Sequence, residues 1–143
     1  MVEAGADPHP KVKESARDAL QDISAVIRNP EISRLSGVLL GALADPSGRT
    51  KDALAALLDC EFMHSIDAPS LALLVPILAR ALKDRAADVK RKSAAITGNM
   101  VSMVADARIL LPYLAQVLPG LKNCLVDVVP DVRACRCVGS ADM

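Results

Sequence analysis

The residues able to do chemistry are few and widely spaced. There are two histidines, His9 and His64, and four cysteines, Cys60, Cys124, Cys135 and Cys137. A nucleophilic Cys–His dyad needs the two side chains in contact, and no spacing here enforces that. His9 sits in a proline-flanked turn, and His64 in the loop before Asp67. Cys135 and Cys137 are separated by one residue, so on a helix they point to different faces. A tetrahedral zinc site needs four ligands at a recognisable spacing. Neither Gly98-Asn-Met100 nor Pro119-Gly-Leu-Lys122 is a phosphate loop, because no GxGxxG or GxxxxGK pattern occurs. Gly98 is expected instead to let two helices approach closely. No catalytic, cofactor-binding or metal-ligating residue is therefore expected, and the chain is not expected to be an enzyme. The cysteines read as reduced core thiols of a cytosolic protein.

The chemistry that remains is electrostatic. Arg80, Lys83, Arg85, Lys90, Arg91 and Lys92 gather around one turn, offset by Asp84 and Asp88. Such a cluster can contact RNA phosphates, where affinity is dominated by charge and falls with salt. The plainer reading is a solvated helix start. These six residues are the candidate contact for a phosphate-bearing or other acidic partner.

The elements that carry this turn recur along the chain. Asp7–Lys13 (DPHPKVK), Asp45–Lys51 (DPSGRTK), Asp84–Lys90 (DRAADVK) and Asp127–Arg133 (DVVPDVR) each open on Asp and close six residues later on Lys or Arg. The four Asp lie 38, 39 and 43 residues apart. Repeats of about 40–47 residues are the mark of HEAT and armadillo helical hairpins. Asp caps or turns the chain by accepting backbone N–H groups. Pro8, Pro10, Pro46 and Pro130 suit a turn or a first helical position. The expected structural turn residues are Asp7, Lys13, Asp45, Lys51, Asp84, Lys90, Asp127 and Arg133. Stacking would set their acids and bases in a ladder along the solenoid.

Composition agrees with helices. Of 143 residues, 52% are hydrophobic but only 1% aromatic, and 23 Ala with 19 Leu dominate. Those are strong helix formers, so a β-sandwich or barrel is excluded. So is a stacking platform for single-stranded nucleic acid, which needs aromatic rings. The 17 basic and 17 acidic residues cancel, which removes any overall attraction to polyanions. The uncharged stretches 68–79 and 109–121 are shorter than the ~20 residues that span a bilayer.

Apolar periodicity predicts seven helices, over about 11–28, 31–44, 49–61, 69–83, 87–104, 108–126 and 130–138. The first is expected to be the second helix of an incomplete hairpin. Pro69 or Ser70 is expected near a cap. Pro76, Pro112 and Pro119 are expected to bend first helices. The fold expected is an all-α, HEAT-type α-solenoid of about three to four helical hairpins in a right-handed superhelical stack. It occupies 11–138, with a disordered or turn-like 1–10 and a tail at 139–143.

Four stretches then carry a specific likeness: Asn29–Ile32 (NPEI), Phe62–Ile77 (FMHSIDAPSLALLVPI), Lys83–Met100 (KDRAADVKRKSAAITGNM), and Leu111–Lys122 (LPYLAQVLPGLK) with Asp127–Arg133 (DVVPDVR). Over about residues 15–134 the chain resembles the HEAT-repeat translational activators of the general-control pathway. These are positive regulators of the initiation factor 2 alpha kinase. The match is to their elongation factor 3-like middle region. The resemblance implies a ribosome-facing or spacer module of a scaffold that promotes kinase signalling in amino-acid starvation. Its partners would be the ribosome and regulatory proteins, in the cytosol with polysomes. The kinase contact would lie outside this segment, and no cofactor, membrane or small-molecule substrate is implied. In that family the repeats continue beyond the position of Ala134. A generic HEAT scaffold for protein–protein contacts, unrelated to translation, is the alternative.

Overall fold

The computed structural model describes residues 9–133, and of Lys13 and Arg133 the backbone only. Asp7, Cys135, Cys137 and the expected helical turns after residue 133 lie outside the described residues. Seven helices follow in order: α1 Pro10–Ala25, α2 Pro30–Ala44, α3 Pro46–Asp59, α4 Ala68–Ala81, α5 Ala87–Met103, α6 Ala107–Leu125 and α7 Pro130–Arg133. Among the described residues there is no strand, only one isolated parallel bridge between Ile66 and Val104.

Capping chemistry sets the helix starts. Asn29 accepts the Ile32 N–H, Asp45 the Gly48 N–H, Asp67 the Ser70 N–H and Asp106 the Arg108 N–H. Each satisfies an N–H that the first turn leaves without a helical partner. These caps shift two expected boundaries. α3 begins at Pro46 rather than at 49, because Asp45 caps it and Pro46 needs no N–H at the first position. α4 begins at Ala68 rather than at 69, with Asp67 as its cap and Pro69 and Ser70 close by; the Asp67 carboxylate also takes the Ser70 hydroxyl.

The helices pair as three hairpins, α2–α3, α4–α5 and α6–α7, stacked side by side. First helices touch first helices (α2 on α4, α4 on α6), and second helices touch second helices (α3 on α5, α5 on α7). This is a HEAT-type all-α solenoid. The layer centre is α4, where Leu71, Leu73, Leu74, Val75, Ile77, Leu78 and Leu82 are each 1% exposed or less. A helix apolar on all sides must be covered on all sides. Each such side chain contributes about 1.5–3 kcal/mol by leaving water.

Prolines inside helices fall where the stack tolerates them. Pro76 lies within α4, and Pro112 and Pro119 lie on the exposed side of α6. A glycine does the opposite job on the buried side. A Cβ at Gly120 would stand 2.7 Å from the Cβ of Leu82, so only glycine lets α6 close on α4 at that point.

One expectation fails in its packing. Residues 10–25 have the turn signature of a second helix, yet α1 packs on α2 and α4 and does not touch α3. It lies across the first-helix layer. Its described buried residues are only two, Ala16 and Leu20, and they serve the apolar α2–α4 surface on which α1 lies.

Candidate partner-binding surface

The turn between α4 and α5 is built by local hydrogen bonds. Lys83 N–H donates to the Arg80 carbonyl at 3.0 Å, and Asp84 N–H to the Ala81 carbonyl at 3.1 Å. The Asp84 carboxylate then accepts the Ala86 N–H at 2.8 Å. Asp127 does the same one hairpin later, accepting the Val129 N–H at 3.0 Å. The recurring Asp is thus an Asx-type turn residue in two hairpins and a helix cap in a third, at Asp45.

The structure divides the six clustered cations into two groups. Lys90 reaches across the stack to Asp127, with Nζ 2.6 Å from Oδ2. Both side chains are largely buried, at 22% and 9% exposure. The hydrogen bond to Asp127 holds the Lys90 ammonium above the ordinary lysine range. Arg91 and Lys92 both bond Asp88, at 3.0 and 2.9 Å, and lower the pKa of its carboxyl, with Lys92 the larger cause. Asp88 also sits in the first turn of α5, where the helix dipole favours a negative charge. Arg80, Lys83 and Arg85 form no ion pair among the described residues, and Lys83 and Arg85 are exposed. The positive charge left without an acidic partner at this turn is therefore centred on Arg80, Lys83 and Arg85, while Lys90 fastens one hairpin to the next.

The remaining turn residues are placed less closely. Asp45, the cap of α3, and Lys51 within α3 are both exposed. Among the described residues, Lys90–Asp127 is the one rung of the expected ladder. Asp7 and the side chains of Lys13 and Arg133 lie outside what is described.

The opposite edge holds a network that the sequence alone did not disclose. Buried Asn29 caps α2 and also donates its amide to the carbonyls of His64 and Ser65, at 3.2 and 3.3 Å. The Arg28 N–H donates to Asp67 at 2.8 Å. His64 Nδ1 lies 2.7 Å from Glu31 Oε1, and that hydrogen bond lowers the Glu31 pKa. Ile66 N–H donates to the Met103 carbonyl, joining this loop to the next. A signal existed: the caps Asn29, Asp67 and Asp106 lie 38 and 39 residues apart, the same step as the turn Asp.

Cys60 is a free thiol. Burial pushes the Cys60 pKa up, away from the thiolate a nucleophile needs. Among the described residues no group of three or more His, Cys, Asp or Glu is placed to hold a metal ion. No helix there is long and apolar enough to cross a membrane.

Comparison with known proteins agrees with this architecture. The family model described as "Elongation factor 3/GNC1 HEAT repeat" matches residues 49–139. The chain is 48% identical over 141 residues to protein ILITYHIA of Arabidopsis thaliana, covering 97% of this chain and 5% of that one. It is 50% identical over 133 residues to the stalled ribosome sensor GCN1 of Homo sapiens, covering 93% and 5%. It is 44% identical over 128 residues to the eIF-2-alpha kinase activator GCN1 of Saccharomyces cerevisiae, covering 90% and 5%. The chain thus spans about 5% of the length of these relatives. A stack of paired helices with capped, aspartate-marked turns, matched by this family model over most of its length, belongs to the elongation factor 3/GNC1 HEAT-repeat family.

Proposed function

We infer that this chain is a non-catalytic HEAT scaffold module of translational control. It holds a ribosomal surface, in the cytosol and on polysomes, and thereby supports signalling to the initiation factor 2 alpha kinase. Residues 11–138 act as its HEAT unit. The kinase itself is met elsewhere, by segments other than this one. Two relatives support the reading by their names, one a stalled ribosome sensor and the other an eIF-2-alpha kinase activator.

The observation that carries the contact is the unpaired corner Arg80, Lys83 and Arg85. It sits at an exposed turn on the edge of the stack, where a flat RNA or protein surface can reach it. The mechanism is geometric: stacked hairpins form a stiff strip, and point charges on its edge grip phosphates without reading sequence.

The test is ribosome co-sedimentation of the chain and of K83E/R85E at rising salt. Loss of most of the bound fraction at low salt, with unchanged helix content, is the expected result. Equal co-sedimentation of both proteins at every salt concentration would remove this corner from the contact. Absence of ribosome binding by the unaltered chain would favour the generic scaffold instead.

A further inference from the structure

The first hairpin carries a cavity that the helix stack does not fill. It is a groove of about 450 Å³ between α1, α2 and the start of α3. Leu20 of α1 and Leu40 of α2 give it apolar walls, and Gly37 and Gly41 of α2 leave a stretch of its lining without side chains. Arg17 of α1 and Arg49 of α3 also line it, and both are exposed.

The two glycines act differently. A Cβ at Gly41 would stand 3.0 Å from Arg49 Nη1 and 3.3 Å from its Cδ. The missing side chain therefore lets the Arg49 stem lie against α2. A Cβ at Gly37 would meet nothing within 4 Å, so that glycine serves no contact in the fold. Glycine is a poor helix former, and a local rule broken without gain to the fold marks a functional position. The charges point the same way. No acid lines the groove. Among the described residues neither Arg17 nor Arg49 enters an ion pair. A guanidinium without a partner is ready to take a carboxylate through two parallel hydrogen bonds.

The geometry points to this groove as a docking site for a short acidic and aliphatic segment of a partner protein. A leucine-sized side chain enters over Gly37, between Leu20 and Leu40, and flanking carboxylates pair with Arg17 and Arg49. The apolar walls reward the aliphatic group by removing it from water, and the arginines set the sign of its neighbours. Size limits the occupant. A helix ~10 Å across, rising 1.5 Å per residue, fills such a volume with roughly three or four residues, so the groove takes one turn or a short extended segment. A small-molecule pocket encloses most of its ligand, whereas here both arginines stand in solvent and leave room for a partner's backbone outside. The walls hold no aromatic ring on which a base could stack. This site is separate from the Arg80, Lys83 and Arg85 corner, which belongs to the next hairpin.

The probe is the fluorescein-labelled peptide DELLDE, titrated into the full chain and followed by anisotropy at rising salt. Saturable binding that weakens with salt is expected. R17E/R49E should weaken it at least tenfold. Gly37→Leu should do the same by filling the groove, with helix content checked for both variants. The peptide DESSDE, equal in charge but without leucine, should bind at least tenfold more weakly than DELLDE. No binding, equal binding of the two peptides, or a loss caused by K83E/R85E and not by R17E/R49E overturns the proposal. Three further results give the groove to another occupant and overturn it as well. Displacement of DELLDE by dodecanoate at lower concentration than by unlabelled DELLDE assigns it to a small amphiphile. A dimer of the chain that R17E/R49E disperses assigns it to a second copy. Peptide binding that tightens at least tenfold on deletion of residues 1–8 assigns it to the chain's own N-terminus.

Discussion

Two helical glycines separate packing from propensity. Gly120 is buried between α6 and α4, and a Cβ there would lie 2.7 Å from Leu82 Cβ and 3.2 Å from its Cδ1. The Cβ of Leu82 cannot swing away by a rotamer change, so a helix must shift. Gly37 lies on the exposed side of α2, and a Cβ there meets nothing within 4 Å. Alanine is better than glycine in a helix by ~1 kcal/mol. At Gly37 that gain stands alone, so Gly37→Ala should stabilise by about 0.5–1 kcal/mol. At Gly120 the same gain opposes an overpacking cost of about 1–3 kcal/mol, so Gly120→Ala should be destabilising by up to about 2 kcal/mol. A urea slope of about 1–3 kcal/mol/M places the two midpoints on the order of 1 M apart, readable by circular dichroism. The cost should shrink when Leu82→Ala removes the obstructing atoms, a coupling a double-mutant cycle measures. If Gly120→Ala equals or exceeds Gly37→Ala in stability, the close approach of α4 and α6 is wrong.

Two further outcomes follow from the opposite edge. Asn29→Ala removes the α2 cap, worth ~1 kcal/mol, and leaves the His64 and Ser65 carbonyls without their donor. A total loss of about 2–4 kcal/mol is expected in denaturant unfolding, since buried unpaired groups cost about 1–3 kcal/mol; a loss under 0.5 would refute the network. Asp67 titrates in a definite direction. Burial alone raises its pKa, but the Ser70 hydroxyl and the Arg28 and Ser70 N–H groups outweigh it and hold the carboxyl below the ordinary aspartate range. A depressed acid stabilises the fold above its unfolded pKa, and that stability is lost as pH falls through the folded value. The unaltered chain should therefore weaken below about pH 4. Asp67→Asn retains the cap but should flatten that part of the pH profile, and an unchanged acid profile would refute the assignment.

The lesson of the charged turn lies in how unlike its six cations proved. Spacing gathered Arg80, Lys83, Arg85, Lys90, Arg91 and Lys92 around one turn. Their pairing was not in the spacing. Arg91 and Lys92 meet Asp88 because three- and four-residue steps bring them to one helix face. Lys90 meets Asp127, 37 residues away, only because two hairpins stack in a particular register.

The sequence by itself determined what is local and periodic. The Ala and Leu content, the aspartate caps and the recurrence of the turn Asp dictate helices, hairpins and their order, because propensity and capping act within a few residues. Tertiary structure decided the rest. It drew α1 across α2 and α4 instead of onto α3, exchanged a side chain at position 120 for helix contact, and knitted Asn29 to the loop at His64. It also left Leu118 and Leu125 exposed while Val75 and Leu82 are buried. Those outcomes depend on which surfaces meet, and surfaces meet through packing between residues far apart in the chain, which no single repeat encodes.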